Sequence, residues 1–343
     1  MRIIGRPRAL FAVLTSCLLL AGCGSGPSQV GAAVILGDRV VSVDDVQAKL
    51  DKLVQDNTFA KSLAQQHKLD LLSRSIVSRE VLDRASAAAA QAYGLQVDET
   101  AVAKRVQDLR AQQQGTQQPL ATDAPEAGIK QATDAAFDLG ELAHAQQIQA
   151  QLAAKYLPLL EVTFDGALLT AGDAKAKSQQ LAARLAADPA HSADVVGTVS
   201  NTGGKAIPGL KLSLLGGLLL ADQNGFELAS SALFGARPNT AVAFPLSLQS
   251  TGQDASVNTA WFVGLVKTVD LNAKLTPQQA QMIPQIPDQV LIKVGERLVA
   301  GTVDQLNVKI NPRYGVWDVV ANGLAPRAEE LAGYRYPPRA VQP

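Results

Sequence analysis

The spacing of apolar residues changes at Pro158, and that change limits what the chain can fold into. Before it, apolar residues recur every three or four. Leu69, Leu72, Ile76, Val77, Val81, Ala85, Ala88 and Ala92 share one helical face, and Ile129, Ala132, Ala136, Leu139, Leu142, Ala145, Ile148, Leu152 and Tyr156 share another. After it come short strand-like runs: Val162-Thr163-Phe164, Ala167-Leu168-Leu169, Ala241 to Leu248 and Ala260 to Val269. Helix packing buries the first pattern and a sheet buries the second. The expected class is therefore α+β, mainly helical, with a small α+β unit set between helical segments.

Local signals fill in the order. Ala32 to Leu36 and Arg39 to Val41 flank Gly37-Asp38 as a short hairpin. Ser42-Val43-Asp44-Asp45 has the form of a capping box, and Val43, Val46, Leu50 and Leu53 continue at helical spacing. A second helix is expected over Thr58 to His67, and a long one from Leu69 to Tyr93 ending on Gly94; Asp98 caps the next. Gln112 to Gly128 has no apolar period and reads as a loop, and a single long helix is expected from Ile129 to Tyr156. Further on, Gly172 to Ala187 and Asp222 to Phe234 read as helices, Asn201-Thr202-Gly203-Gly204 as a turn, and Leu210 to Leu220 as a buried or partner-facing loop. Pro277 to Pro287 is helical but broken by Pro284. Asp288 to Ala300 is a short helix, Val303 to Ile310 a strand, and Pro326 to Pro343 a loosely ordered end.

The first residues give an address. Arg2, Arg6 and Arg8 precede an apolar run, Ala9 to Ala21, that is short for a membrane span but suits an export signal. Leu20-Ala21-Gly22-Cys23 resembles the bacterial lipobox at all four positions, which implies a thioether-linked lipid on Cys23 as the mature N-terminus. Gly24-Ser25-Gly26-Pro27-Ser28 then makes a tether. Cys17 leaves with the signal and Cys23 carries lipid, so the two cysteines supply no disulfide, thiolate nucleophile or Cys-type zinc site. The chain has 31 basic and 31 acidic residues; without Arg2, Arg6 and Arg8 the count is 28 against 31. With no basic patch, and with aromatics at 4%, nucleic-acid binding has no physical support.

The opening, Ile35-Leu36-Gly37-Asp38-Arg39-Val40-Val41-Ser42 followed by a capped helix and a long helix ending Ala92-Tyr93-Gly94-Leu95-Gln96-Val97-Asp98-Glu99, resembles the N-terminal domain of SurA-type periplasmic chaperones from about Val34 to Val106. Asn311-Pro312-Arg313-Tyr314-Gly315-Val316-Trp317-Asp318 is similar to the closing motif of SurA-like lipoproteins of actinobacteria. The resemblance implies a helical chaperone domain completed by a returning C-terminal segment, with Val303 to Ile310 as the returning strand. It also implies an inserted parvulin-like module, as in PrsA-type lipoprotein foldases. Ser200 to Gly204, and Phe226, Ala229 and Phe234 with Gly235-Ala236-Arg237-Pro238, resemble parvulin elements. The family's two histidines are missing: Gly166-Ala167-Leu168 stands where one is expected and Trp261-Phe262 where the other is, while Lys205 replaces the acidic residue after Gly-Gly. Twisting a prolyl amide, with a barrier of about 20 kcal/mol, needs polar groups there, so the module is expected to have lost catalysis.

The expected layout is 1–22 signal, 23–31 tether, 32–160 first part of the chaperone domain, 161–272 parvulin-like domain, 273–320 a C-terminal helix and strand completing the chaperone domain and 321–343 a loose tail. His67, His144 and His191 lack partners at metal-ligand spacing, and no hydrolase elbow or phosphate loop is present, so no metal, cofactor or catalytic residue is assigned. The functional expectation is a lipid-anchored chaperone on the extracytoplasmic face of the cell membrane. It would bind unfolded or newly exported polypeptides on an apolar helical cradle, with Leu72, Ile76, Leu139 and Leu142 as the client contacts. An active prolyl isomerase and an envelope scaffold with one dedicated partner are the alternatives.

Overall fold

The structure, a computed structural model, describes residues 31–115, 125–170, 172–202, 204–220, 224–247 and 259–338. The export signal, Cys23, most of the tether and Gly203 lie outside the described residues.

Strands β1 (Ala32–Leu36) and β2 (Arg39–Ser42) form the expected hairpin, with Leu36 opposite Arg39. Ser42 opens α1 (Val43–Asp56) through a full capping box: its Oγ accepts from the Asp45 N–H at 2.9 Å, and Asp45 Oδ2 accepts from the Ser42 N–H at 3.2 Å. Helix α2 (Thr58–Gln65) is capped by Asn57. Helix α3 (Leu69–Ala92) ends as Gly94 takes φ +60°. Asp98 accepts from the Thr100 N–H at 2.9 Å and starts α4 (Glu99–Gly115). The expected loop from Gln112 to Gly128 is shorter than read, because α4 continues to Gly115 and α5 (Pro125–Ala135) begins before Gly128.

The single helix expected from Ile129 to Tyr156 is two. Helix α5 stops at Ala135 and α6 (Leu139–Tyr156) starts afresh, because Asp138 turns its carboxylate onto the Gly140 and Glu141 N–H groups at 2.7 and 3.2 Å. The chain then enters β3 (Glu161–Leu169), α7 (Ala174–Ala187), α8 (Ser192–Gly197), β4 (Lys205–Ser213), α9 (Leu214–Leu218), α10 (Asn224–Ala229), β5 (Thr240–Ser247) and β6 (Thr259–Asp270). Leu210 to Leu220 is therefore strand and helix rather than loop, and the helix read over Asp222 to Phe234 is shorter. Last come α11 (Pro277–Met282), α12 (Asp288–Gln305), β7 (Lys309–Ile310), β8 (Val316–Asp318), β9 (Gly323–Ala325) and β10 (Tyr334–Tyr336).

Two corrections concern the C-terminal part. Val303 to Gln305 belongs to α12, since Val299 and Val303 carry the helical spacing into the core, so the strand is only β7. It still lies antiparallel to β1, with Val34 opposite Ile310, in a sheet of order β2-β1-β7. The end expected to be loose from residue 321 is ordered in its described part. β9 pairs with β8, and β10 pairs with β5 as the outer strand of a five-stranded sheet of order β10-β5-β6-β3-β4. Its short strands carry few local signals, and pairing with distant elements fixes them.

Helix α12 lies between the two main cores. Val299 and Val303 join the helical core with Leu50, Leu72, Ile76 and Leu152, while Val294 joins Phe164, Leu233, Phe244 and Phe262 beneath the sheet. Gly295 permits this placement: a Cβ there would sit 1.8 Å from the Gln149 carbonyl oxygen, so α12 and α6 meet backbone to backbone. The other sheet face is covered by α7 through Leu181 and Leu185. Among the described residues no helix is long and apolar enough to cross a membrane.

Arg297, on α12, is 6% exposed and donates only to carbonyls: Ser230 from Nε at 2.8 Å, Val319 from one terminal nitrogen at 2.8 Å, and Val320 from the other. Burial pulls its pKa down to about 10, so it is still protonated at neutral pH. Asp318 fixes the same turn, accepting from the Val320 and Ala321 N–H groups at 2.8 and 3.0 Å and from the Ala332 N–H at 2.5 Å. Replacing Arg297 with Met strands three carbonyls. The expected loss is about 3–5 kcal/mol, read as a lower urea midpoint together with faster proteolysis of the C-terminal segment. An unchanged midpoint contradicts the role given to this side chain.

Candidate functional site

Three of the four expected client contacts are core. Leu72, Ile76 and Leu142 have no accessible surface, so they line no open cradle, and Leu139 is partly buried against Val102, Leu109 and Leu142. The groove lies on the neighbouring stripe of the same helix. Leu71, Ser75 and Ser78 are each one residue, or about 100° of helical rotation, away from the core positions Leu72, Ile76 and Val77, and Leu82, which also lines the groove, is itself buried.

This groove has a volume of about 420 Å³ and runs between α3, α5, α12 and the β8–β9 hairpin. Its apolar lining comes from Leu71, Leu82, Ile129, Leu324 and Pro326. Small polar groups hold the walls together. The Thr133 hydroxyl donates to the Ile129 carbonyl at 2.7 Å and so accepts from the Ser75 hydroxyl at 2.8 Å, and the Leu324 N–H donates to Ser78 Oγ at 2.9 Å, which pins β9 to α3. The rim carries both signs of charge. Arg79 meets Asp134 at 2.5 Å, Lys130 meets the same carboxylate at 2.6 Å, and Lys293 meets Glu296 at 2.9 Å. Arg74 pairs with Asp70 at 2.8 Å, while Glu126 stands exposed on the rim without an ion pair among the described residues; basic and acidic groups nearly balance, so the net field is small.

A second cavity of about 470 Å³ opens on the far side of α3, where Glu80, Asp83 and Arg84 face Phe137, Glu141 and His144 of the α5–α6 region. Glu80 takes Lys49 at 3.1 Å and Arg84 at 3.4 Å, and the Lys49 ammonium lies 4.1 Å from the Phe137 ring centroid. Of the histidines only His144 lines this cavity. His67 and His191 are exposed, and the Asp188 carboxylate, hydrogen-bonded to His191 at 2.9 Å, raises that imidazole's pKa. Among the described residues no group of three His, Cys, Asp or Glu could hold a metal ion.

Sequence reasoning missed two carboxylates, the buried Asp165 and the part-buried Asp83. Asp165, on β3, accepts from the Ser192 hydroxyl and the Gly209 N–H at 2.6 Å each, and from Lys267 at 3.2 Å. Burial acts to raise its pKa, but these bonds outweigh it and hold the group below the usual carboxylate range. It clamps the β3–β4 irregularity to α8 and does no visible chemistry.

Asp83 is the opposite case. Burial raises its pKa to about 7, Glu80, Asp134 and Glu296 push the same way, and only Arg79 opposes. Arg79 stands 3.8 Å off, beyond hydrogen-bond range, and gives its short contact to Asp134.

The places of the two histidines that the family resemblance expects are filled by aromatic packing. Gly166 on β3 lies opposite Gly264 on β6, and a Cβ at Gly166 would come 3.1 Å from the Phe164 and Phe262 rings. Phe164 meets Phe262 edge-on at 5.5 Å, and Phe244 meets Phe262 at 4.9 Å, all three buried. Trp261 stacks on Tyr334 of the C-terminal strand. Lys205 is an exposed residue at the start of the edge strand β4.

No family model and no curated protein matches the chain. Among solved structures, the foldase protein PrsA from Lactococcus lactis matches at 13% identity over 82% of this chain and 94% of that one, with a TM-score of 0.23. At that score the groove stands on this chain's own geometry.

The state of Asp83 sets a pH dependence. Its folded pKa of about 7 lies above an unfolded value near 3.9, so the folded state holds the extra proton, and stability falls as pH rises from about 4 to about 7. Asp83→Asn is expected to flatten that slope and to raise stability at pH 8 by no more than about 4 kcal/mol, measured by thermal unfolding at pH 5 and pH 8. An equal loss at both pH values contradicts it.

Proposed function

We propose that this chain is a lipid-anchored chaperone of the extracytoplasmic face of the membrane, holding apolar segments of unfolded or newly exported polypeptides in the groove between α3, α5 and the β8–β9 hairpin. The observation that carries this reading is the groove itself: a partly exposed apolar lining of Leu71, Ile129 and Leu324, backed by the buried Leu82, inside a rim whose charges, Glu126 apart, are paired within the protein. Such a surface rewards removal of apolar surface from water and asks little of sequence.

The expected strength follows from size. Burying one leucine-sized side chain contributes roughly 1.5–3 kcal/mol, so a groove of this volume gives weak, reversible binding. A weak binder gains from being kept where its ligands emerge, and lipid on Cys23, implied by the lipobox resemblance, would raise local concentration in that way. The sheet unit enters this reading as scaffold. Buried phenylalanine rings occupy the polar half that prolyl isomerisation requires, which favours a holding role over an isomerase.

The mature chain at near-stoichiometric ratio is expected to suppress aggregation of a chemically unfolded client, and to leave prolyl-peptide isomerisation at its uncatalysed rate. Leu71→Ser thins the partly exposed wall of the groove; because Leu71 also packs on the helical core, suppression is compared well below the variant's own melting temperature, where it is expected to fall by more than half. A chain that suppresses nothing, or a variant that suppresses as well as its parent, counts against the proposal.

A further inference from the structure

Arg79 stands between two carboxylates that belong to different cavities. With Asp134 it lines the groove, while Asp83, one turn along α3, lines the second cavity on the far side of that helix. The guanidinium serves the two unequally: Nη2 is 2.5 Å from Asp134, and Nη1 is 3.8 Å from Asp83. Asp83 Oδ1 is buried and has no hydrogen-bond partner. That arrangement suits a neutral acid, because an ionised oxygen left without a donor is costly to bury.

The other charges around Asp83 offer no replacement for Arg79. On its own helix Glu80 is acidic, and holds Arg84 at 3.4 Å and Lys49 of α1 at 3.1 Å. Asp134 of α5 and Glu296 of α12 add negative charge, and they hold Lys130 and Lys293. Across the cavity stand Glu141 and His144 of α6 and Arg39 of β2. Burial and the nearby carboxylates bring the Asp83 pKa to about 7, so the acid is mostly neutral at pH 6 and mostly ionised at pH 8.

We propose that losing the Asp83 proton draws Arg79 away from Asp134 and loosens the α5 wall, so that the groove holds polypeptide more weakly as pH rises through neutrality. This rests on the polypeptide-holding reading and adds its regulation. The movement required is about 1 Å, which takes the 3.8 Å contact to hydrogen-bond distance. Asp134 can release the guanidinium because Lys130, one turn earlier on α5, keeps that carboxylate paired at 2.6 Å. Among the described residues two polar side-chain ties join α5 to α3, Arg79 to Asp134 and Ser75 to Thr133, and only the second would remain. Helix α5 carries Ile129 of the apolar lining, so a loosened wall buries less of the occupant.

The test uses a rhodamine-labelled, C-terminally amidated decapeptide of alternating leucine and serine, which has no group titrating near neutrality. Binding is followed by fluorescence anisotropy at pH 6 and pH 8, well below the melting temperature of either protein. Wild type is expected to bind about fivefold more weakly at pH 8. Asp83→Asn, outside the groove, keeps the neutral form and is expected to bind at both pH values as wild type does at pH 6. Hydrogen exchange without peptide gives a second readout: at pH 8 the α5 amides are expected to exchange faster in wild type than in the variant, and at pH 6 equally fast. Wild-type binding that is equal at the two pH values overturns the switch and leaves the groove reading standing. A pH dependence that persists in Asp83→Asn overturns it as well, since another group, such as His144, would then be titrating. Equal α5 exchange by the two proteins at pH 8 overturns the release of the wall. No binding of the peptide at either pH overturns the groove reading and the switch with it.

Discussion

A guanidinium buried at the meeting of two cores must be given acceptors, and in this fold that requirement organises everything downstream of α12. Arg297 takes its carbonyls from Ser230 beside the sheet and from Val319 and Val320 after β8, so one side chain joins three stretches of chain that share no secondary structure. Once residues 319 and 320 are fixed, the following turn lies against α12 and α3. Asn322 reaches the Glu296 carbonyl and Leu324 reaches Ser78. Farther on, Arg335 grips Asp304 at 2.6 and 2.7 Å while its neighbours extend the sheet beside β5. The hairpin that walls the groove is thus a consequence of how a buried charge is satisfied.

Elements with local causes were legible in the sequence. The Ser42 box, the glycine after α3, the hairpin over Gly37-Asp38 and the antiparallel run of β5 against β6 each rest on neighbours within a few residues, or on an alternation that needs no partner to be seen. What escaped depends on distant contacts. The Asp138 cap was hidden because Ala136 and Leu139 keep the helical period across the break. The C-terminal strands looked loose because their order comes from Arg297, Asp318 and β5. The site was misplaced by one residue for a related reason. Periodicity finds the most apolar stripe of α3, and that stripe is the one the protein keeps for itself. The neighbouring stripe, Leu71, Ser75 and Ser78, mixes leucine with serine and reads as ordinary surface until α5 and the hairpin stand on either side of it.

The chemistry of the molecule is correspondingly restrained. Asp165 is explained by clamping, Asp83 keeps a buried oxygen without a hydrogen-bond partner, and the rings of Phe164, Phe244 and Phe262 pack together on the sheet. What the surface offers is a modest apolar groove whose charges are mostly paired, on a chain whose first residues read as an address at the membrane. Weak binding, little sequence preference and confinement near emerging chains fit one another physically.

The central claim is that unfolded polypeptide enters the groove on α3, and site-specific photo-cross-linking reads it most directly. A benzophenone side chain at Ile129, inside the groove, is compared with one at Lys177, exposed on α7 across the sheet. With a permanently unfolded client present, adducts are expected at position 129 and essentially none at 177, and they should disappear when excess unlabelled client competes. Equal yields at the two positions, or none at either, would contradict the account.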